Sequence, residues 1–320
     1  MTIWDKLSKN QPFFALAPME DVTDTVFRQV IIHAARPDLF FTEFMNVSGF
    51  CHPDGRTNVA RRLEYQLGEQ PIIAQIWGSD PEKFAITAGE IAKLGFKGID
   101  INMGCPDKAV VRSGGGSALI QDFARVTLAK DIIAATKTAG LPVSVKTRLG
   151  YSRVDEWQDW LKFLLEQDLA CLTVHLRTKK EMSKVAAHLE LIPDIIKLRD
   201  TVAPQTLLMF NGDIADCLQG LPLQERYPGV NGIMIGRGVF ANPFCFEKHP
   251  REHSKKELIE LLNYHLDMFD KHDGHKFDPL KRFFKVYING FPGASDLRAR
   301  LMNTKTADEA RKILDASCTK

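Results

Sequence analysis

Three polar side chains lie within or at the ends of short apolar runs and could bind a heteroaromatic ring. Lys146 lies inside the run Pro142–Leu149, where a strand buried on both faces tolerates an ammonium group only beside an anionic partner. A reduced flavin is such a partner, and Gln75 and His175, in two other runs, can hydrogen-bond the same ring. The alternative is a core glutamine, a core histidine and a lysine that reaches the rim.

Cys105 lies in a turn directly after another apolar run, between Gly104 and Pro106. A single cysteine is more often a small buried hydrophobe than a catalyst. Here the glycine and the proline fix the backbone at the strand end, where a thiol can face a substrate. A neutral thiol in an apolar pocket keeps a raised pKa and can protonate a carbanion-like carbon. The sequence contains no Gly-x-Ser-x-Gly signature, which would indicate acyl transfer. We therefore predict that Cys105 donates a proton.

Two glycine-containing segments, Asn211-Gly212-Asp213 and Gly236-Arg237-Gly238, close the last two apolar runs. Glycines let backbone N–H groups approach phosphate oxygens, and Arg237 adds a forked, permanently charged donor. In barrels, phosphate groups commonly bind at the loops after the seventh and eighth strands. The segments therefore predict a phosphate site. The alternative is a pair of tight turns with a surface arginine.

The elements that position these residues are eight apolar runs separated by segments of helical period. The runs are Phe13–Met19, Leu39–Phe44, Pro71–Gly78, Gly98–Gly104, Pro142–Leu149, Cys171–Leu176, Thr206–Gly212 and Gly232–Gly238. Helices are predicted between them, for example over Pro81–Leu94, Phe123–Ala139 and Asp155–Glu166. Eight βα units let a parallel sheet close, so we predict an α/β fold, a (β/α)₈ TIM-type barrel whose polar strand ends meet at one mouth.

An open, doubly wound sheet is the competing fold, and it predicts a glycine-rich nucleotide-binding turn after an early strand. The first run instead ends in Ala17-Pro18-Met19. The glycine-rich loop Ser113–Gly116 follows the fourth run only after several residues. The barrel is therefore favoured.

The alternation of short runs and helices stops after residue 250. The sequence beyond it predicts helices over Lys255–Phe269, Leu280–Asn289, Ser295–Met302 and Ala307–Ala316. We therefore expect two domains, a catalytic barrel over residues 1–250 and a small all-helical domain over residues 251–320.

The predicted helical domain is more basic than the barrel. It carries 14 Lys/Arg against 11 Asp/Glu, a net charge of +3, whereas residues 1–250 carry 28 against 29, a net charge of −1. Lys281, Arg282 and Lys285 cluster there at helical spacing. This excess is compatible with RNA binding, and a solvated helix face is the alternative.

The composition is typical of a globular protein, with 44% hydrophobic and 26% charged residues. The N-terminus has no apolar core of signal-peptide length, and no apolar stretch approaches the ~20 residues that span a bilayer. We expect a cytoplasmic monomer without membrane contact. Six cysteines without a Cys-x-x-Cys pair argue against a disulfide framework and a structural zinc site, so no metal is expected.

The ordered set of motifs resembles the tRNA-dihydrouridine synthase family. The resemblance covers about residues 13–246, and it is carried by Ala17-Pro18-Met19, Asp100-Ile101-Asn102-Met103-Gly104-Cys105-Pro106, Gly114-Gly115-Gly116, Val145-Lys146-Thr147-Arg148, His175-Leu176-Arg177-Thr178, Asn211-Gly212-Asp213 and Gly236-Arg237-Gly238. It implies a barrel that carries FMN, a helical RNA-binding domain, NADPH as reductant, and reduction of the uracil 5,6 double bond in tRNA.

The resemblance also implies a role for each matching residue. Hydride passes from flavin N5 to uracil C6, and Cys105 protonates C5 from the opposite face. Asn102 contacts the uracil, and Arg148 orients it. The FMN contacts are Gln75, Lys146 and His175 at the ring, Pro18 and Met19 along one face, and Asn211, Gly212, Asp213, Gly236 and Arg237 at the phosphate end.

The sequence departs from the family pattern on the substrate side. Where the family usually has Gly, Gln, an aromatic residue and Trp, this chain has Leu176, Glu181, Ser183 and Leu189. A flavin barrel that acts on a free pyrimidine or another small unsaturated substrate is the second hypothesis. A catalytically silent RNA-binding barrel is the third. The sequence does not identify the target uridine. It also leaves open whether the substrate is tRNA or ribosomal RNA, and whether the reductant is NADPH or NADH.

Overall fold

The computed structural model describes residues 1–272 and 276–318, which contain nine strands. They are β1 Phe13–Leu16, β2 Phe40–Phe41, β3 Met45–Asn46, β4 Ile72–Trp77, β5 Ile99–Met103, β6 Val143–Arg148, β7 Cys171–His175, β8 Leu207–Asn211 and β9 Gly232–Ile235. The strands are parallel in the order β1-β9-β8-β7-β6-β5-β4-β2, and β3 also pairs with β4. A parallel bridge between Ala15 and Leu39 brings β1 beside β2 and closes the ring. The predicted (β/α)₈ barrel is confirmed.

The predicted second run is split into the short strands β2 and β3. Between them the Thr42 hydroxyl accepts the backbone N–H of Gln75 at 2.9 Å and donates to the Glu43 carbonyl at 2.8 Å. A side chain thus replaces a backbone acceptor of the parallel ladder, which interrupts the strand. Glu43 therefore lies in the break at the carboxyl end of β2.

Helices surround the barrel, and several of them begin at a side-chain cap. The helices are α1 Ile3–Leu7, α2 Thr25–Ala35, α3 Val47–Cys51, α4 Arg56–Ala60, α5 Pro81–Lys93, α6 Lys108–Arg112, α7 Phe123–Lys137, α8 Trp157–Leu165, α9 Ile192–Val202, α10 Cys217–Arg226 and α11 Gly238–Ala241. Asp24, Asp80 and Asp122 accept backbone N–H groups in the first turns of α2, α5 and α7. The three helices predicted as examples are confirmed, the last of them beginning as a 3₁₀ turn over Val154–Glu156.

In the described part of the chain, five helices follow the barrel. They are α12 Lys255–Asp270, α13 Phe277–Leu280, α14 Phe284–Tyr287, α15 Ala294–Met302 and α16 Ala307–Cys318. The predicted segment 251–320 also includes residues 273–275 and 319–320, which lie outside the described residues. Across the described part of the chain, no helix is both long and apolar enough to cross a membrane.

The prediction of one continuous helix over residues 280–289 is wrong. A 3₁₀ turn over Lys281–Phe283 separates α13 from α14. Side chains three residues apart eclipse each other in such a turn, so Leu280 and Phe283 point to the same side, and both are buried. Phe283 stacks there on Phe27 of α2, with ring centroids 4.9 Å apart. Packing against the barrel therefore favours the 3₁₀ turn. The same packing places the C-terminal helices beside the ends of β1 and β2.

Candidate active site

Strand register places three polar side chains in one row across β4, β5 and β6. Gln75 pairs with Asp100, and Asp100 pairs with Ser144. The Asp100 carboxylate accepts the Ser144 hydroxyl at 2.6 Å and the Gln75 amide nitrogen at 2.7 Å, and all three residues are fully buried. Burial raises the pKa of Asp100 to about 6. The acceptor-only carboxylate fixes which end of the Gln75 amide faces it.

The same network holds the turn that carries Cys105. Gln75 Oε1 accepts from Asn102 Nδ2 at 3.1 Å, while Asn102 Oδ1 accepts the N–H groups of Gly104 and Cys105 at 3.1 and 2.9 Å. Gly116, at φ 56°, packs against the turn so closely that a Cβ atom there would lie 2.8 Å from the Cys105 carbonyl oxygen. The thiol is thus fixed at the carboxyl end of β5.

Burial raises the pKa of the Cys105 thiol, so the thiol is neutral near pH 7. Arg148 contacts the same turn, since its Nε donates to the Gly104 carbonyl at 2.8 Å. Its Nη1 donates to the carbonyls of Thr178 and Met182 at 3.2 and 3.1 Å. Burial lowers the pKa of Arg148 to about 10. Arg148 therefore joins the Cys105 turn to the loop after β7.

Lys146 is a half-buried cation in need of a charged partner. Its ammonium lies 3.4 Å from Asn211 Oδ1, and the Asn211 amide donates to the Met234 carbonyl at 2.7 Å. Burial, and then the nearby charge of Arg148, lower the pKa of Lys146 to about 8. Among the described residues, no carboxylate lies within ion-pair distance of this ammonium. A bound anionic group would stabilise the charge that burial disfavours.

His175 ends β7, where it pairs in register with Arg148 and Asn211. Burial, with repulsion from Arg148 and Lys146, holds the pKa of His175 far below its ordinary value, so the imidazole is neutral. Its Nε2 lies 3.2 Å from Arg177 Nη1. Because a guanidinium can only donate, Nε2 accepts and Nδ1 carries the proton. His175 therefore offers one N–H donor to a ligand.

Asp213 accepts from two arginines after β8. The nearly buried Arg177 and the backbone N–H of Ala187, at 2.9 Å, donate to Oδ2, and Arg237 Nη2 donates to Oδ1 at 2.9 Å. These bonds, chiefly the one from Arg177, hold the pKa of Asp213 below its usual range. The Arg237 side chain is 63% exposed, so its remaining N–H groups face solvent.

The remaining predicted flavin contacts lie at the same mouth. Gly212 has φ 130°, and a Cβ atom there would lie 3.1 Å from a carbon of the His175 ring. Pro18 and Met19 follow β1 directly, and a Cβ atom on Gly236 would lie 3.8 Å from the Met19 sulfur. The structure thus brings the predicted contacts together at the carboxyl ends of β1, β4, β6, β7, β8 and β9.

Comparison with known proteins identifies the family of this barrel. A family model described as dihydrouridine synthase matches residues 15–320. The chain belongs to the dihydrouridine synthase family. It is 58% identical over 315 residues to a probable tRNA-dihydrouridine synthase 2 of Bacillus subtilis (strain 168), which covers 98% of this chain and 95% of that protein. A probable tRNA-dihydrouridine synthase of Staphylococcus aureus (strain COL) is also 58% identical, and the match covers 98% of this chain and 94% of that protein.

Membership of the dihydrouridine synthase family confirms the prediction of a flavin-dependent oxidoreductase. Among solved structures, the old yellow enzyme homologue from Zymomonas mobilis matches with a TM-score of 0.48 and 14% identity, over 74% of this chain and 87% of that one.

The departures from the dihydrouridine synthase pattern have structural uses here. Leu176 is fully buried in the core, and Leu189 opens a 3₁₀ turn. Glu181 accepts the N–H of Thr178 at 2.7 Å and pairs with a histidine, while Ser183 is exposed. These residues therefore shape the loop after β7 without adding an aromatic ring to the site.

Three residues of this site were not predicted as functional. Asp100 gave a signal, because an acid inside the apolar run Gly98–Gly104 needs buried donors. Ser144 and Arg177 gave none beyond being polar near a strand end, since their partners are set by register and by the fold of a loop. These residues orient the predicted ones.

The three predicted RNA contacts are not one exposed cluster. The Lys281 side chain is 13% exposed, and its ammonium pairs with Asp278 at 2.8 Å. Arg282 and Lys285 are exposed, and Arg282 lines a cleft between the barrel and the C-terminal helices. The 3₁₀ turn thus separates residues that a regular helix would place together.

Proposed function

We propose that this chain reduces uridine to 5,6-dihydrouridine in tRNA, with bound FMN and with NADPH as the reductant. The observation that carries the proposal is Cys105, a neutral thiol fixed by the Asn102 amide at the barrel mouth. The names of the two relatives, which refer to tRNA, support the choice of substrate. A tRNA substrate places the protein in the cytoplasm, where we propose that it acts as a monomer.

The residues at the mouth fit FMN. The ammonium of Lys146 lacks an anionic partner and suits the flavin edge where negative charge collects on reduction. The Nδ1–H of His175 suits a polar atom of the ring, whereas the fully buried Gln75 amide would reach the ring only if it turned away from Asp100 or Asn102. The exposed donors of Arg237 and the open backbone at Gly236 suit a terminal phosphate.

Bound FMN supplies a hydride to uracil C6. Negative charge then develops at C5 and its conjugated carbonyl, and Cys105 transfers its thiol proton to C5, which leaves a thiolate that solvent reprotonates. The raised pKa keeps this proton on sulfur until C5 becomes basic. Asn102 and Arg148, both in contact with the Cys105 turn, place the uracil against it.

We further propose that residues 251–320 form an RNA-binding domain beside the catalytic barrel of residues 1–250. The basic excess of this segment and the exposed side chains of Arg282 and Lys285 support the proposal. Lys281 contributes less in this scheme, because Asp278 already neutralises it. Phosphate contacts of this kind make affinity fall with salt.

Replacing Cys105 by Ala tests the proposal. Pre-reduced enzyme is mixed with an unmodified tRNA transcript, and flavin oxidation and dihydrouridine are followed through one turnover. We expect the rate to fall about 10²–10⁴-fold, the usual contribution of a positioned general acid. FMN content and reduction by NADPH should stay near wild type, because neither needs this proton.

Cys51→Ala is the matched control. Cys51 is another partly buried thiol, and its sulfur contacts Thr87 rather than the barrel mouth. If Cys105→Ala forms dihydrouridine at the wild-type rate, Cys105 is not the acid. If the wild-type protein reduces free uridine but not the transcript, the small-molecule hypothesis replaces ours.

A further inference from the structure

A cleft of about 440 Å³ lies between the ends of β1 and β2 and the C-terminal helices. Its volume falls within the range of small-ligand pockets. Glu43, from the break between β2 and β3, and Thr25, from α2, line it on the barrel side. Phe269 and Arg282 line it on the helical side. The cleft is thus shared by the two parts of the chain, and it adjoins the candidate active site through Thr42, which precedes Glu43 and accepts the backbone N–H of Gln75.

Glu43 is a buried acid without a partner. Its backbone is held by the Thr42 hydroxyl, and the residue is only 7% exposed. Within the described residues, its carboxyl makes no hydrogen bond or ion pair, although it lines the cleft. The small exposed part of Glu43 faces the cleft, so a ligand bound there can hydrogen-bond the carboxyl.

Charges around Glu43 decide which form of the carboxyl faces the cleft. Burial, with repulsion from Asp24 and Glu20, raises the pKa of Glu43 to about 8, against weaker attraction from Arg62 and Arg28. The group is therefore mostly protonated at pH 7. A protonated carboxyl has one donor and one acceptor side by side, which complements an edge with one acceptor and one donor, as nucleobases have.

Three cations without an ion-pair partner in the described ranges line the same cleft, together with the carboxylates of Asp21, Asp24 and Glu64. Arg61, Lys276 and Arg282 form no ion pair with any described residue, whereas the neighbouring Arg62 pairs with Glu20. Unpaired cations beside a buried donor-acceptor group suit a ligand with a phosphate at one end and a base at the other. Phe269 adds an aromatic ring to the wall, and bases stack on such rings.

We propose that this cleft binds one RNA nucleotide next to the uridine in the active site, with its base edge on Glu43 and its phosphate on Arg61, Lys276 and Arg282. The proposal rests on the proposed function, because it takes RNA as the substrate. It assigns to Glu43 a binding role in substrate selection, separate from the flavin and the thiol.

The test measures affinity for an unmodified tRNA transcript by fluorescence anisotropy, with FMN content as the check on folding. Glu43→Leu removes the donor and the acceptor and should weaken binding about tenfold, as expected for one or two neutral hydrogen bonds. Glu43→Gln keeps a donor and an acceptor and should bind within about twofold of wild type. Equal losses in both variants would overturn the contact by a neutral carboxyl.

The phosphate contact has its own measurement. Arg282→Ala should reduce the slope of log affinity against log salt by about 0.7, the value for one phosphate contact on a single strand. Arg300→Ala is the matched control, since it removes an exposed arginine from the same helical segment outside the cleft. An equal change in both variants would overturn the assignment of Arg282.

Transcripts with one abasic position locate the nucleotide. At one neighbour of the target uridine, loss of the base should weaken wild-type binding about tenfold and abolish the further effect of Glu43→Leu. If Glu43→Leu weakens binding of both abasic transcripts as much as it weakens binding of the intact transcript, the proposed nucleotide site is wrong. The proposed function is tested separately by dihydrouridine formation in the wild type: if none forms, the function fails, and if it forms while Glu43→Leu binds normally, only the subsite fails.

Discussion

The two sides of the barrel mouth are built in different ways. On the β4–β6 side, Gln75, Asp100, Asn102 and Ser144 satisfy one another in a buried network that ends at the backbone of Cys105. On the β7–β9 side, the polar groups form ion pairs in which one arginine stays largely exposed. The group proposed to react is therefore held by the protein alone, whereas the phosphate-binding groups have donors left for a ligand.

This difference determines what a substitution should do on each side. Breaking a buried hydrogen bond leaves an unsatisfied group and costs about 1–3 kcal/mol, whereas an exposed ion pair is worth about 0–1 kcal/mol. On the β4–β6 side, changes that also remove the support of the Cys105 turn should lower stability and catalysis together. Changes on the β7–β9 side should lower ligand affinity with little effect on stability.

Among the substitutions that compare the two sides of the mouth, Asp100→Asn should have the largest effect. An Asn side chain has one acceptor oxygen in place of two, so either Ser144 must accept from the new amide instead of donating, or Gln75 must turn its own amide. If Gln75 turns its amide to compensate, Asn102 loses its donor contact, and the Cys105 turn loses its support. We expect urea unfolding to show a loss of about 1–3 kcal/mol, and single-turnover uridine reduction to slow about tenfold or more.

Ser144→Ala is the control for this network. It removes one donor but leaves the carboxylate and the orientation of the Gln75 amide. Stability should fall by about 0.5–1.5 kcal/mol, and the rate of Cys105 alkylation by iodoacetamide should match wild type, unlike that of Asp100→Asn. Identical alkylation rates in all three proteins would mean that the network does not position the thiol.

The sequence allowed the barrel and the mouth to be predicted, because the carboxyl ends of parallel strands meet at one rim. Lys146, His175 and Asn211 therefore lie together as expected. The pairing of Asp100 with Ser144 was not predictable, since register depends on closure of the whole sheet. The apolar pattern of a single strand does not reveal which residues of the neighbouring strand lie beside it.

The error in the helical segment has a similar cause. The apolar spacing over residues 280–289 suits a continuous helix, but the structure has a 3₁₀ turn there. Stacking of Phe283 on Phe27 stabilises the interrupted form of the helix, and the two rings are 256 residues apart in sequence. Tertiary packing thus overrides local propensity, which is a weak preference of tenths of a kcal/mol per residue.

Arg237→Ala tests the open side of the mouth. FMN affinity of the apoprotein, measured by fluorescence titration, should fall by about 1.5–3 kcal/mol, the range for a hydrogen bond to a charged group. Stability without FMN should change by less than about 1 kcal/mol, because the pair with Asp213 is exposed. Arg226→Ala, on an exposed part of α10, should change neither quantity. Unchanged FMN affinity in Arg237→Ala would remove this residue from the phosphate site.

The smallest effect is expected from Lys285→Ala, which extends the comparison of fixed and open groups to the helical segment. Lys285 is exposed and forms no ion pair with a described residue, whereas Lys281 is mostly buried and paired with Asp278. A phosphate contact by Lys285 should contribute about 0.7–0.9 to the salt slope of tRNA binding, measured by filter binding over a potassium chloride series. Lys281→Ala should leave the slope unchanged, because Asp278 already neutralises its charge. If both variants lower the slope equally, RNA displaces Asp278, and the distinction between fixed and open groups does not hold in this segment.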